Sequence, residues 1–180
     1  MNETLKTITE RYSCRGYTGD PLKKEEIEQL VKAALASPSA VNRQPWRVIV
    51  CTDKALIDEM DAAGVKILEA NEDKTSYNRI MERGGKMLYN APCMITIVAD
   101  DTPYAIMDSG IMVQNMALAA HSMGLGNVIC AMARILFEDD KYKKALNFPD
   151  GYKFAVSILV GKANTTKEPH ELDFSKVSYV

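Results

Sequence analysis

The chain has 180 residues, 47% of them hydrophobic and 26% charged, with a formal net charge of −2, which suits one globular domain over residues 1–180 and removes any general electrostatic case for nucleic acid. The polar start Met1-Asn2-Glu3-Thr4-Leu5-Lys6 lacks the apolar stretch of a secretion signal, and the longest apolar runs, such as Cys93 to Ala99, fall far short of the ~20 residues that cross a bilayer, so a cytoplasmic protein is expected.

Taken in chain order, Leu5, Ile8 and Tyr12 recur at helical spacing and predict a short helix from Thr4 to Arg11. Asp20-Pro21 marks a turn. Lys23 to Ser37 then predicts an amphipathic helix with an apolar stripe of Ile27, Leu30, Val31, Ala34 and Leu35, stopped at Ser37-Pro38. Trp46 to Cys51 is a β-branched run of strand type. Lys54 to Ala63 is expected to be helical and to close at Gly64. Asn71 to Asn90 is polar and reads as a mobile helix or a lid. Cys93 to Ala99 is a continuous apolar strand of the kind buried on both faces. Tyr104 to Met123 is the longest helical pattern and apolar nearly all round, which predicts burial in a core or at an obligate interface. Its small residues Gly110, Ala117 and Ala120, with Gly124 just beyond, suggest close helix packing, within one chain or between two. A short strand at Val128–Cys130, a helix over Glu138–Leu146 and a strand over Phe154–Val160 follow, then a polar tail. Helices mixed with three or four core strands make an α+β domain.

Several chemistries lack their residues. Cys14, Cys51, Cys93 and Cys130 form no Cys-x-x-Cys pair and read as packed free thiols. With only His121 and His170 in the chain, neither a zinc site nor a histidine-activated thiol is favoured. No Gly-x-Gly-x-x-Gly or Walker-type loop is present. Glu82-Arg83-Gly84-Gly85-Lys86 lacks phosphate-cradling spacing and reads as a loop or helix break.

Three clusters remain as candidates. In Arg11-Tyr12-Ser13-Cys14-Arg15, two guanidinium forks flank a hydroxyl just after a helix, a donor set suited to phosphate oxygens; a solvated basic turn is the alternative. In Ser37-Pro38-Ser39-Ala40-Val41-Asn42-Arg43-Gln44-Pro45-Trp46, two prolines stiffen a loop dense in hydrogen-bonding groups. Its asparagine amide can donate and accept together, as a flavin or pyrimidine edge requires; helix capping is the alternative. Gly124-Leu125-Gly126, followed by Asn127 to Ala131, would present backbone N–H groups at a strand end, or would simply be a helix cap feeding a strand.

In this order the three clusters resemble the nitroreductase family of flavoproteins. The first resembles an Arg-Arg-Ser-x-Arg segment, with Tyr12 in place of the second arginine. Pro38 to Trp46 matches a Pro-Ser-x-x-Asn-x-Gln-Pro-Trp segment without gaps. Asn90-Ala91-Pro92, Asp108-Ser109-Gly110 with Gln114-Asn115, and Gly124-Leu125-Gly126 are also similar, and Lys167-Glu168-Pro169 resembles the family's Arg-x-Pro with lysine for arginine. The resemblance implies a nitroreductase-like α+β fold, a central mixed β-sheet with flanking helices, in an intertwined homodimer with FMN at the interface. It implies that Arg11, Tyr12, Ser13 and Arg15 hold the phosphate and ribityl end, with Lys167 closing over the phosphate. Pro38, Ser39, Ala40 and Asn42 would approach the flavin of the other subunit. Backbone at Ile129, Cys130 and Ala131 would line the flavin N5 side, where relatives often have glycine at the place of Ala131. NADH or NADPH would reduce the flavin, and a nitroaromatic or quinone would reoxidise it in a ping-pong scheme, with no catalytic side chain and no metal. Other flavin chemistry on the same fold (dehalogenation, azoline oxidation, flavin fragmentation), a flavin carrier without turnover and a binding domain for another small ligand are the alternatives.

Overall fold

A computed structural model describes residues 2–180. Helix α1 (Glu3–Glu10) is capped by Asn2, whose side-chain oxygen accepts from the backbone N–H of Leu5 at 2.9 Å. Helix α2 (Lys24–Leu35) buries Leu30 and Ala34, whereas Leu35 at the end of its expected stripe is 58% exposed. Strand β1 (Trp46–Cys51) leads into α3 (Lys54–Ala70), capped by Asp53, and α4 (Thr75–Met81). Strand β2 (Cys93–Ala99) precedes the long α5 (Ala105–Ser122) and β3 (Gly126–Cys130). A 3-10 segment over Ala131–Phe137, the short α6 (Asp140–Ala145) and β4 (Lys153–Gly161) complete the core.

The sheet order is β1-β2-β4-β3, and every neighbouring pair is antiparallel rather than mixed. The β2–α5–β3 unit does make the parallel crossover that a mixed sheet needs. β4 inserts between those two strands and pairs antiparallel with both, so the parallel pair never shares hydrogen bonds.

Strand β2 is wholly buried because helices cover both of its faces. Cys93, Ile95 and Ile97 pack with Leu30, Ala34 and Trp46 and with Met112, Met116 and Ala117 of α5. Met94 on the other face joins Ile57, Met60, Leu136 and Phe137. A buried hydroxyl pair between Thr96 and Ser157, 2.8 Å apart, links β2 to β4.

Two expectations are corrected by packing. Helix α3 runs through Gly64 to Ala70. That glycine marks a close approach, since a Cβ there would lie 2.3 Å from Cε of Met87. The stretch from Asn71 to Asn90 contains α4 and buries Ile80, Met87 and Leu88 completely, which anchors it to the core. In α5 Ala117 and Ala120 are enclosed within the chain, and Ile106, Met107, Gly110 and Ile111 near its start face outward, where only an interface could cover them. Among the described residues no helix is long and apolar enough to cross a membrane.

Candidate functional site

After α1 the chain crosses the ends of β3 and β4 and is stitched there. The Cys14 N–H donates to Asn127 O at 2.9 Å, and the Tyr17 hydroxyl lies 3.1 Å from both Cys14 O and Leu159 O. The segment after β4 folds back over it. Tyr17 bridges Ala163, the Asn164 N–H donates to Gly16 O at 3.1 Å, and the Tyr12 hydroxyl donates to Thr165 O at 3.1 Å. This approach requires glycine at 16, where a Cβ would meet Oδ1 of Asn164 at 2.5 Å, and at 126, where it would meet Sγ of Cys14 at 2.8 Å.

The stitching brings together two sequence motifs from opposite ends of the chain. Arg11, Tyr12, Ser13 and Arg15 line a cleft of about 370 Å³ with Lys167, Glu168, Pro169 and His170. Arg11, Arg15 and Lys167 are basic side chains, and none is in an ion pair among the described residues. The Arg15 guanidinium donates to Ser13 O at 3.3 Å, its one hydrogen bond among the described residues. Three uncompensated cations facing one acid, Glu168, make a concave anion site, and the forked donors suit phosphate oxygens. Burial, with some help from the neighbouring Cys14, pushes the Tyr12 phenol pKa up, so it remains a neutral hydrogen-bonding group.

A second cleft of about 380 Å³ shares Arg15 and is lined by Arg83, Lys86, Tyr89, Asn90, Asn164 and Thr165. Arg83 and Lys86 were missed from sequence because their spacing matches no phosphate loop. What brings them to the cleft is a turn through Gly84 and Gly85, both at positive φ (95° and 72°), ahead of the buried Met87 and Leu88.

Pro38, Ser39, Ala40 and Asn42 do not line the Arg11–Lys167 cleft within this chain. Their loop has an over-determined conformation of its own. Val41, Asn42 and Gln44 all have positive φ, at 47°, 56° and 51°, a conformation that costs L residues energy unless held. The buried carboxylate of Asp108 accepts from the Ala40 N–H at 3.2 and 3.3 Å. Ser39 Oγ accepts from the Gln44 N–H, and Asn42 Oδ1 from Gln44 Nε2, each at 3.0 Å. The result presents Val41, 95% exposed, at the tip. Trp46 is core, at 4% exposure.

Ile129 and Cys130 pair with Ile158 and Ser157 on the edge strand β3, and Ala131 begins the 3-10 segment. Burial raises the Cys130 thiol pKa, opposed in part by hydrogen bonds from Ala133 and Met132 and by the charge of Arg15. Burial likewise pushes Cys93 up to about 12. All four cysteines are buried and free, and no group of histidine, cysteine and acidic residues among the described residues could hold a metal.

Residues 8–162 match the model of the nitroreductase family. The chain belongs to that family. Among solved structures, a nitroreductase with bound FMN from Desulfitobacterium hafniense is 48% identical and superposes with a TM-score of 0.96 over 100% of this chain and 99% of its own. An FMN-dependent nitroreductase from Clostridium difficile is 26% identical with a TM-score of 0.82, covering 99% of both chains. The FMN reductase (NADPH) of Bacillus subtilis is 30% identical over 166 residues, which are 89% of this nitroreductase-family chain and 66% of that protein.

Proposed function

We propose that this chain is an FMN-dependent NAD(P)H oxidoreductase of nitroreductase type that acts as a cytoplasmic homodimer. The observation that carries the reading is the cleft of Arg11, Ser13, Arg15 and Lys167, an uncompensated cationic set in a member of this family. Its donor chemistry fits a phosphomonoester. Arg11 and Arg15 would grip the phosphate, Ser13 and Tyr12 would donate hydroxyl hydrogen bonds beside it, and Lys167 would cover it as a point charge. The adjoining cleft at Arg83, Lys86 and Asn90 offers further donors in the direction of the ring, with Ile129, Cys130 and Ala131 on the N5 side.

Bound there, FMN would supply two-electron transfer from a nicotinamide donor to a nitroaromatic or quinone acceptor. The protein's part is to orient the ring and leave one face open to donor and acceptor in turn, a ping-pong order. Exposed apolar side chains support a second subunit: Ile106, Met107 and Ile111 on α5, and Leu172, Phe174 and Val177 in the tail. Across such an interface Pro38, Ser39, Ala40 and Asn42 would reach the neighbour's flavin. The purified protein is expected to be yellow and to release FMN on denaturation; chromatography that finds FAD, or no flavin after incubation with FMN, overturns the reading.

A further inference from the structure

A cleft of about 500 Å³ lies apart from both cationic clefts, between the 3-10 segment Ala131–Phe137 and the start of β4. Its apolar wall is aromatic. The accessible rings are those of Phe154 and Tyr152, both half-buried; Phe137 is 5% exposed and backs Phe154, with centroids 5.1 Å apart and an interplanar angle of 23°, while the Phe148 centroid lies 4.9 Å from that of Phe137. Tyr152 is held by the Arg47 guanidinium, 5.0 Å from its ring centroid. Four charged residues rim the cleft, and their pairing is uneven. Lys143 is bound to Asp140 at 2.9 Å and Lys153 to Asp101 at 2.8 Å. Arg134 and Glu138, one helical turn apart, have no ion-pair partner among the described residues, not even each other.

An aromatic wall, one free guanidinium and one free carboxylate narrow the ligand class. A simple aromatic acid would satisfy Arg134 and leave Glu138 without a donor; a cation would do the reverse. A nucleoside phosphate satisfies all three: the base lies on the aromatic wall, ribose hydroxyls donate to the carboxylate, and a phosphate takes the guanidinium fork. Ala131 lines this cleft and also ends the segment assigned above to the N5 side, so one short stretch of chain borders both places.

We propose that the cleft of Phe137, Tyr152 and Phe154, with Arg134 and Glu138 at its rim, binds a purine nucleoside phosphate, namely the adenosine half of the nicotinamide donor. The assignment to the donor rests on the oxidoreductase reading above; the nucleotide site itself rests on the cleft. Calorimetric titration of the holoenzyme with ADP tests the site. Binding that competes with the dinucleotide donor is expected, and Arg134→Ala and Glu138→Gln should each raise the ADP Kd about tenfold, a usual cost for losing one charge-assisted contact. In parallel, the ratio of KM for NADH or NADPH to KM for reduced nicotinamide mononucleotide, which lacks adenosine, should rise about tenfold in Arg134→Ala. The FMN content, read from the visible spectrum, should stay that of the parent. No ADP binding, ADP binding that ignores the donor, or variants within twofold of the parent would each overturn the proposal. A colourless parent protein would instead sink the flavoenzyme reading, and the ADP titration would still judge the cleft.

Discussion

The two motif-bearing regions of this chain are finished to different degrees. The 11–17 segment is closed within the chain: its backbone is tied to β3, β4 and the 162–165 stretch, and its cations converge on one cleft. The 38–44 loop is just as firmly held by Asp108 and Ser39, yet its tip points away from anything the chain itself supplies. A conformation with three positive φ values is costly to keep without a purpose. One region is therefore finished within the chain, while the other holds its tip, Val41, out to solvent.

Gly126→Val should show the largest effect, because it attacks the closed region directly. Cys14 and Ala163 leave no room, so a loss of about 3 kcal/mol in unfolding free energy is expected by chemical denaturation, with flavin retention falling alongside. Unaltered stability would mean that the 11–17 segment is not seated as described. Arg11→Ala should weaken FMN by about 2 kcal/mol in fluorescence titration while leaving unfolding nearly unchanged, since among the described residues its guanidinium is in no ion pair. Asn42→Ala should cost FMN about 1–2 kcal/mol. It sharpens the comparison most when paired with Arg11→Ala in a mixed dimer, where one site should carry both defects and the other neither. Two equally weakened sites would show that the open loop serves its own chain.

The smallest effect belongs to Asp61, a buried carboxylate on α3 that accepts from the Leu88 N–H at 2.5 Å. Burial raises its pKa, with Asp58 adding to the rise, against the Leu88 hydrogen bond and the charges of Lys86 and Lys54. The folded state thus holds this proton more tightly than the unfolded one. Its contribution is most favourable below the ordinary carboxylate range and is lost as pH rises through the folded pKa. Asp61→Asn should flatten that part of the stability–pH curve by under about 1 kcal/mol; a slope identical to the parent's would place the titration elsewhere.

How much of this was legible in the sequence depended on the range of the cause. Strands β1 and β2 could be read to the residue, because β-branched runs and burial on both faces are local signals. The end of α3 could not, since Gly64 answers to Met87 across the core rather than to a helix terminus. The sheet's antiparallel order was hidden for the same reason: no local pattern announces that β4 will slide between β2 and β3. Of the residues that line the first cleft, Arg11, Ser13 and Arg15 were singled out by their donor chemistry and Lys167 by the family resemblance alone. Arg83 and Lys86 were not, because only the buried anchors after the Gly84-Gly85 turn bring them to the cleft.

The stitching of the two chain ends has a consequence for biosynthesis. Tyr12 and Thr165, joined by a hydrogen bond, stand 153 positions apart. Contacts of such long sequence separation form late, after their loop-closure entropy has been met by the core. While the polypeptide is still emerging from the ribosome, the arginines are present but their lysine is not, and β4 has not yet joined the sheet. The cleft with all three of its cations exists only once residue 167 has been made and β4 has joined the sheet, so an anion held by that full set is bound after both events.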